Sequence, residues 1–208
     1  MRLTALFIGV FFSAFMASAQ GKIYRFSQDA GYGYKDKKGN VRIAPGKYDC
    51  VYSTIKKPVV LQSLLDDSQW YVVDASGNEL YRVYVENGTP DSYNKGLIRV
   101  QKDNLIGFTD KKGRAVIPTR YTQANRFVGK YTLANIGAIL ADNSSTDMDN
   151  PTTWVGGKWG VIDKKGKVIV PFSYDRVWNE TEGCYEYVNG KSVFVVTEKG
   201  KIVWKKTK

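Results

Sequence analysis

The sequence has 208 residues, a net charge of +11, 43% hydrophobic and 13% aromatic residues, two cysteines and no histidine. That share of apolar residues offsets the entropy of folding and excludes a disordered chain, while the missing histidine removes the usual nucleophile–histidine–carboxylate triad and the commonest zinc ligand. The positive charge points to an anionic partner and says nothing about fold.

Residues 1–19 read as a removable export signal. Arg2 supplies the positive start, residues 3–15 are nearly all apolar, and Ala17, Ser18 and Ala19 form a small-x-small cleavage site. The apolar run is short for a bilayer, so no transmembrane span is expected in the mature chain. Cleavage after Ala19 leaves residues 20–208, destined for the periplasm or the medium. An oxidising compartment permits a bridge between Cys50 and Cys184. Two residues make no framework, and two free thiols are the reading taken.

From residue 32 onward the chain repeats one pattern. Gly33, Gly107 and Gly160 are each followed by an aspartate three residues later (Asp36, Asp110, Asp163) and by a second glycine six residues later (Gly39, Gly113, Gly166). A proline follows (Pro45, Pro118, Pro171), then a tyrosine three residues on (Tyr48, Tyr121, Tyr174). Two degenerate copies fit the same frame, one around Trp70, Asp74 and Gly77 and one around Gly200. Five units centred on Gly39, Gly77, Gly113, Gly166 and Gly200 thus fill the chain.

Each unit has the chemistry of a hairpin. Aspartate, two polar residues and glycine between apolar runs suit a tight turn with the glycine at positive φ and the carboxylate accepting from the turn backbone. If Asp163 pairs with Lys167 and the ladder runs on evenly, Trp159, Val161, Ile169 and Pro171 share one face, and Gly160, Ile162, Val168 and Val170 the other. The second copy sorts likewise, with Ile106, Phe108, Val116 and Pro118 against Gly107, Thr109, Ala115 and Ile117. Both faces are largely apolar, so both should be covered. A further strand precedes the hairpin at residues 96–100 and 183–188, giving about three antiparallel strands per unit. No segment has a helical period, although residues 59–67 have room for a turn or two of helix.

Residues 157–175 carry Trp159, Gly160, Val161, Ile162, Asp163, Lys164, Lys165, Gly166, Pro171, Tyr174 and Asp175 in an order that resembles the WG repeat, named for its Trp-Gly pair. The other copies depart from it: Tyr32 and Ile106 replace the tryptophan, and Tyr71 replaces the glycine after Trp70. The resemblance implies a tandem β-repeat protein and offers no catalytic residues to carry over. The expected fold is therefore all-β, with about five three-stranded meander units stacked as an open twisted array. A closed, propeller-like ring is the alternative.

Three groups of residues are candidates for binding. Lys37 and Lys38, Lys111 and Lys112, Lys164 and Lys165, and Lys199 and Lys201 recur at the turns, extended by Lys205, Lys206 and Lys208. They form either an anion-binding ridge or ordinary solvated turns. Trp159, Trp70 and Tyr34 fall on repeat positions and belong to the core between units, whereas Trp154 and Trp178 fall outside the hairpin frame and are the tryptophans free for a ligand. Residues 141–153 form an inserted loop, since 53 residues separate Gly113 from Gly166 against 34 to 38 elsewhere. Asp147 and Asp149 there have a calcium-loop spacing but lack the glycine and terminal glutamate of that motif, and a plain loop is the reading taken.

No P-loop, G-x-S-x-G or C-x-x-C motif is present, and the repeated aspartates are explained by turn chemistry. No cofactor, metal or catalytic residue is nominated. The expected role is non-catalytic, presenting the repeat surface to a protein or an anionic envelope polymer. Export argues against nucleic acid. The competing reading is a carbohydrate- or peptidoglycan-active hydrolase built on aspartates.

Overall fold

The computed structural model describes residues 21–49, 51–66, 69–142, 152–182, 184–190 and 192–205. The export signal, Cys50, residues 143–151 with Asp147 and Asp149, and Lys206 and Lys208 lie outside them.

All described secondary structure is β, in five three-stranded meanders each centred on one turn glycine. The first comprises β1 (Ile23–Gln28), β2 (Gly31–Lys35) and β3 (Val41–Ile43), with β4 (Thr54–Ile55) added beside β1. The second comprises β5 (Val59–Gln62), β6 (Trp70–Val73) and β7 (Glu79–Val83), followed by a small hairpin of β8 (Val85–Glu86) and β9 (Thr89–Pro90). The third is β10 (Leu97–Lys102), β11 (Leu105–Asp110) and β12 (Ala115–Tyr121), then the short β13 (Gln123–Ala124). The fourth is β14 (Tyr131–Asp142), β15 (Thr152–Asp163) and β16 (Val168–Asn179), and the fifth β17 (Cys184–Val188), β18 (Val193–Val196) and β19 (Ile202–Lys205). Units two and three share a six-stranded sheet, joined where Val83 of β7 pairs with Val100 of β10. Units four and five share a seven-stranded sheet from β13 to β19. All pairings are antiparallel and, among the described residues, no sheet closes on itself, so the array is open.

One turn is built five times. In each unit the N–H of the first turn residue donates to the carbonyl four residues on and the turn glycine's N–H donates back to the first residue's carbonyl, as in Asp163 N–H to Lys167 O and Gly166 N–H to Asp163 O, both at 2.9 Å. The aspartate carboxylate accepts from the turn backbone: Lys38 and Asn40 N–H on Asp36, Ser76 and Asn78 on Asp74, Lys112 and Arg114 on Asp110, Lys165 and Lys167 on Asp163, all at 2.7–3.0 Å. In the last unit Thr197 Oγ1 accepts from Lys201 N–H at 3.1 Å instead. The five glycines all have φ between 73° and 87°, where a side chain is strained.

The even ladder expected beyond the turn is not what forms. Ile162 pairs with Val168, but Val161 then pairs with Val170 and Trp159 with Tyr174, because β16 carries extra residues against β15. Phe108 pairs with Ile117 and Ile106 with Tyr121 in the same way. The faces are corrected accordingly: Val170 and Ile117 lie inward with Val161 and Phe108, whereas Ile169 is exposed. Pro118 and Pro171 are themselves exposed and sit in the bulged stretch, where a missing N–H costs no ladder bond. The bulge explains the glycine of the Trp-Gly pair. A Cβ at Gly160 would lie 2.7 Å from Val170 O, at Gly107 2.6 Å from Ile117 O, and at Gly33 2.6 Å from Ile43 O. The bulged third strand leaves no room for a side chain there.

Central strands are covered on both sides. Adjacent residues of β15 feed different cores: Val161 packs with Trp159, Tyr174, Tyr187 and Phe194 toward unit five, and Ile162 with Phe108, Ile117 and Tyr121 toward unit three. In β6, Val73 joins the core with unit one and Val72 joins Val83, Ile98 and Val100. Each unit is stable by burying its two faces against its neighbours, as in other linear repeats. The third strand β16 is less covered: Val170 and Tyr174 pack toward unit five, Phe172 stacks on Tyr121 of unit three, and most of its other residues are exposed.

The turns fasten successive units. A Cβ at Gly77 would lie 2.1 Å from Arg42 O in β3, at Gly113 2.4 Å from Leu80 Cδ1 in β7, at Gly166 3.4 Å from Ile117 in β12, and at Gly200 2.2 Å from Val128 O, just before β14. Each turn thus rests on an earlier part of the array. Gly39, in the first unit, has nothing within 4 Å.

Two further expectations are corrected. Residues 59–62 form the edge strand β5 rather than helix. Strands β14 and β15 extend to 12 residues each and pair as far as Asp142 with Thr152, so residues 141, 142, 152 and 153 of the expected loop belong to strands.

Candidate functional site

The seven-stranded sheet carries a row of aromatic and cationic side chains. Trp159 and Tyr174 are paired across β15 and β16, and Arg176 and Trp178 follow Tyr174 at two-residue steps on β16. Opposite them on β17, Tyr187 pairs with Arg176 and Tyr185 with Trp178. The Arg176 guanidinium lies 4.1 Å from the Tyr185 ring centroid and 5.0 Å from that of Trp159. Trp178 meets Tyr185 edge-on at 4.9 Å and remains 50% exposed. Such a guanidinium between two rings is held as a flat, cationic element of the surface.

Beside this row is a shallow cleft of about 300 Å³ lined by Gln123, Trp154, Gly156, Gly157, Trp159, Asp175 and Arg176. Trp154 is half-buried there, across from Leu140 in the β14–β15 hairpin. Gly137, Gly156 and Gly157 all have positive φ, which breaks the regular alternation of that hairpin. Trp154 and Trp178 are therefore linked through Trp159, Arg176 and Tyr185. Trp159 itself is 5% exposed, and Tyr34 is fully buried. Trp70 is half-buried and lines a different cleft.

That second cleft, about 520 Å³, runs along β5 between units one and two, with walls from Tyr52, Pro58, Trp70, Pro90 and Tyr93. Behind it lies a feature the sequence did not disclose, a buried arginine. Arg99 is 1% exposed; its Nε donates to Asp91 at 3.1 Å, Nη2 to Glu86 at 3.0 Å and Nη1 to Ala124 O at 3.0 Å. Its guanidinium covers the Tyr84 ring at 4.6 Å, and Arg126 adds a second partner for Asp91. This network ties β8, β9 and β13 to β10.

The turn lysines divide by environment. Lys111, Lys112 and Lys165 are exposed, and Lys111 also lines the β5 cleft. Lys164 is half-buried and donates to Lys95 O at 3.3 Å. Lys205 does not extend a free basic ridge, because its ammonium is held between Glu182 and Glu186, which raises its pKa. Cys184 is a free thiol; partial burial and the neighbouring Glu182 push its pKa up, so it is a weak nucleophile.

The repeated aspartates are committed to their turns. Hydrogen bonds from Asn40, then from Arg42 and the Lys38 backbone, hold the Asp36 carboxyl at about 2. Burial works to raise Asp110, but backbone and side-chain bonds from Arg114 outweigh it and leave it below the usual range. A group depressed in the folded state stabilises fully above its unfolded pKa, near 4, and loses that contribution as pH falls to about 2. Urea midpoints should therefore drop between those pH values, and Asp36→Asn should flatten that part of the acid response.

Among the described residues no helix is long and apolar enough to cross a membrane. No curated protein matches the chain. The family model for the WG containing repeat matches residues 32–54, 106–137 and 159–191, which hold the turns and bulged third strands of the first, third and fourth meanders and the segments that follow them. With that match and the recurrence of the same turn in all five units, the chain belongs to the WG-repeat family.

Proposed function

We propose that this is an exported, non-catalytic repeat protein that presents its β-repeat surface to a protein or an anionic envelope polymer. The observation that carries the reading is the row formed by Trp159, Arg176, Tyr185 and Trp178, in which a cation is stacked between rings and Trp178 stands half-exposed at the end. Flat rings beside a fixed guanidinium suit sugar faces, carboxylates and peptide side chains. The turn chemistry of Asp36, Asp74, Asp110 and Asp163 supports a non-catalytic role, since each carboxylate already serves its own backbone.

The test is retention of the mature protein on an envelope fraction. Trp154→Ala/Trp178→Ala should weaken retention about tenfold, the scale of losing an aromatic contact of 1–2 kcal/mol. Retention that survives high salt in the wild type would assign the binding to the aromatic row, and steep loss with salt to the lysines. Release of soluble sugar from the fraction would overturn the non-catalytic reading in favour of a hydrolase.

A further inference from the structure

We infer that the cleft along β5 is a peptide-binding groove in which an extended segment with a free C-terminal carboxylate adds antiparallel to β5. The inference deepens the binding role proposed above by naming a partner class and a second place for it.

The first ground is the backbone. β5 is the last strand of the six-stranded sheet, paired with β6 on one side only. Ser63 N–H turns toward the β6 side, donating to Gln69 O at 2.7 Å, while Gln62 O turns outward and accepts from Asp49 N–H at 2.9 Å. Antiparallel strands alternate, so Val60 directs its N–H and C=O outward like Gln62, into the groove. Among the described residues, the covered part of this edge is its Gln62 end, met by the segment that carries Tyr48 and Asp49. An open edge in an apolar cleft is matched by another backbone, because a chain that adds there satisfies groups that a sugar or lipid leaves unpaired.

The second ground is the shape and firmness of the walls. Tyr52, Trp70, Pro90 and Tyr93 line the groove together with Val60, and Val60, Trp70 and Tyr93 pack against one core with Val72. The Tyr52 wall is pinned where Tyr34 Oη donates to Tyr52 O at 2.7 Å. The segment of Pro90 to Tyr93 is pinned by Asp91, gripped by Arg99, and by Tyr93 Oη donating to Asp110 O at 3.3 Å. A groove held from behind in this way costs little to organise on binding.

The third ground is charge. Lys57 adjoins Pro58 at the start of β5, and the turn carrying Lys111 rests on Pro58, with Gly113 placing a notional Cβ 3.1 Å from its Cγ. Asp49 lies at the other end, bonded to Gln62. The groove is therefore basic at the N-terminal end of β5 and acidic at its C-terminal end. A strand added antiparallel places its own C-terminus at the lysines and its N-terminal side at Asp49. The polarity of the lining matches that orientation and opposes the parallel one.

The probe is a library of random heptapeptides displayed with free C-termini, selected on the mature protein. Enriched peptides should carry apolar residues at alternating positions near the terminus. A resynthesised hit should lose about tenfold in affinity on C-terminal amidation, and again on the Lys57→Glu/Lys111→Glu protein, the size expected for one charge-assisted contact. N-methylation of the peptide amide that faces Val60 should abolish binding. Circular dichroism of Lys57→Glu/Lys111→Glu, whose side chains are exposed, checks that its fold is intact. The inference is overturned if the variant enriches the same peptides as the wild type, if amidation leaves affinity unchanged, or if no peptide is enriched. In that last case, tryptophan-dependent retention of the envelope fraction would show that the broader binding role stands without the groove.

Discussion

Replacing Arg99 with methionine should cost about 3 kcal/mol of stability, the lower part of the range for breaking a buried ion pair by removing one partner. The substitution leaves Asp91, 3% exposed, with Arg126 and the Arg99 backbone N–H in place of a full guanidinium grip. It also leaves Ala124 O without its donor, and Glu86 without either Nη contact. Arg99→Lys should be only a partial remedy, because one ammonium cannot reach Asp91, Glu86 and the Ala124 carbonyl together in the planar fork that arginine offers. Asp91→Leu/Arg99→Met should lose less than Arg99→Met alone, since the double change leaves no buried charge behind. Denaturant titration of the three variants is the check, and equal losses for all would refute this account of the network.

The second large effect is expected at the turn glycines, and it should be graded along the chain. Gly39→Ala introduces a side chain at φ 87° into open space, so only the left-handed backbone is penalised, by about 1 kcal/mol. Gly77→Ala carries the same penalty and drives a methyl group to 2.1 Å from Arg42 O, a backbone atom that cannot swing aside. Overpacking of that kind adds to the strain, for a total of about 3 kcal/mol or more. Gly200→Ala, at 2.2 Å from Val128 O, belongs with Gly77, and Gly166→Ala, whose nearest neighbour is 3.4 Å away, belongs nearer Gly39. If the five glycines served turn geometry alone, all these substitutions would cost the same. Thermal unfolding of the series distinguishes the cases.

The all-β class, the meander of the unit and the number of units were legible because a turn is written locally. Aspartate, glycine, proline and tyrosine recur at fixed offsets, and each acts within a few residues of itself. The faces of β16 were not legible, since the alternation rule assumes an even ladder and the bulge around Pro171 inserts residues that no local pattern marks. Arg99 was equally hidden. In its run of Leu97, Ile98 and Val100 it has the place of an ordinary strand residue, and its partners Asp91, Glu86 and Ala124 come from segments that only the fold brings together. Trp154 and Trp178 stood out by falling off the repeat frame, but nothing local placed Arg176 between Trp159 and Tyr185. The groove along β5 escaped because residues 59–67 have too short an apolar run for periodicity to separate strand from helix.

Each unit gains its stability from the units beside it, in an array whose first turn glycine, Gly39, faces open space. Native-state hydrogen exchange on Gly200→Ala tests that directly. The open array predicts loss of amide protection in β17 to β19 and in the adjoining β14 to β16, with protection of β1 to β7 unchanged, because nearest-neighbour contacts pass strain on only by one step. An equal loss of protection in β1 to β3, as a closed ring would give, would contradict it.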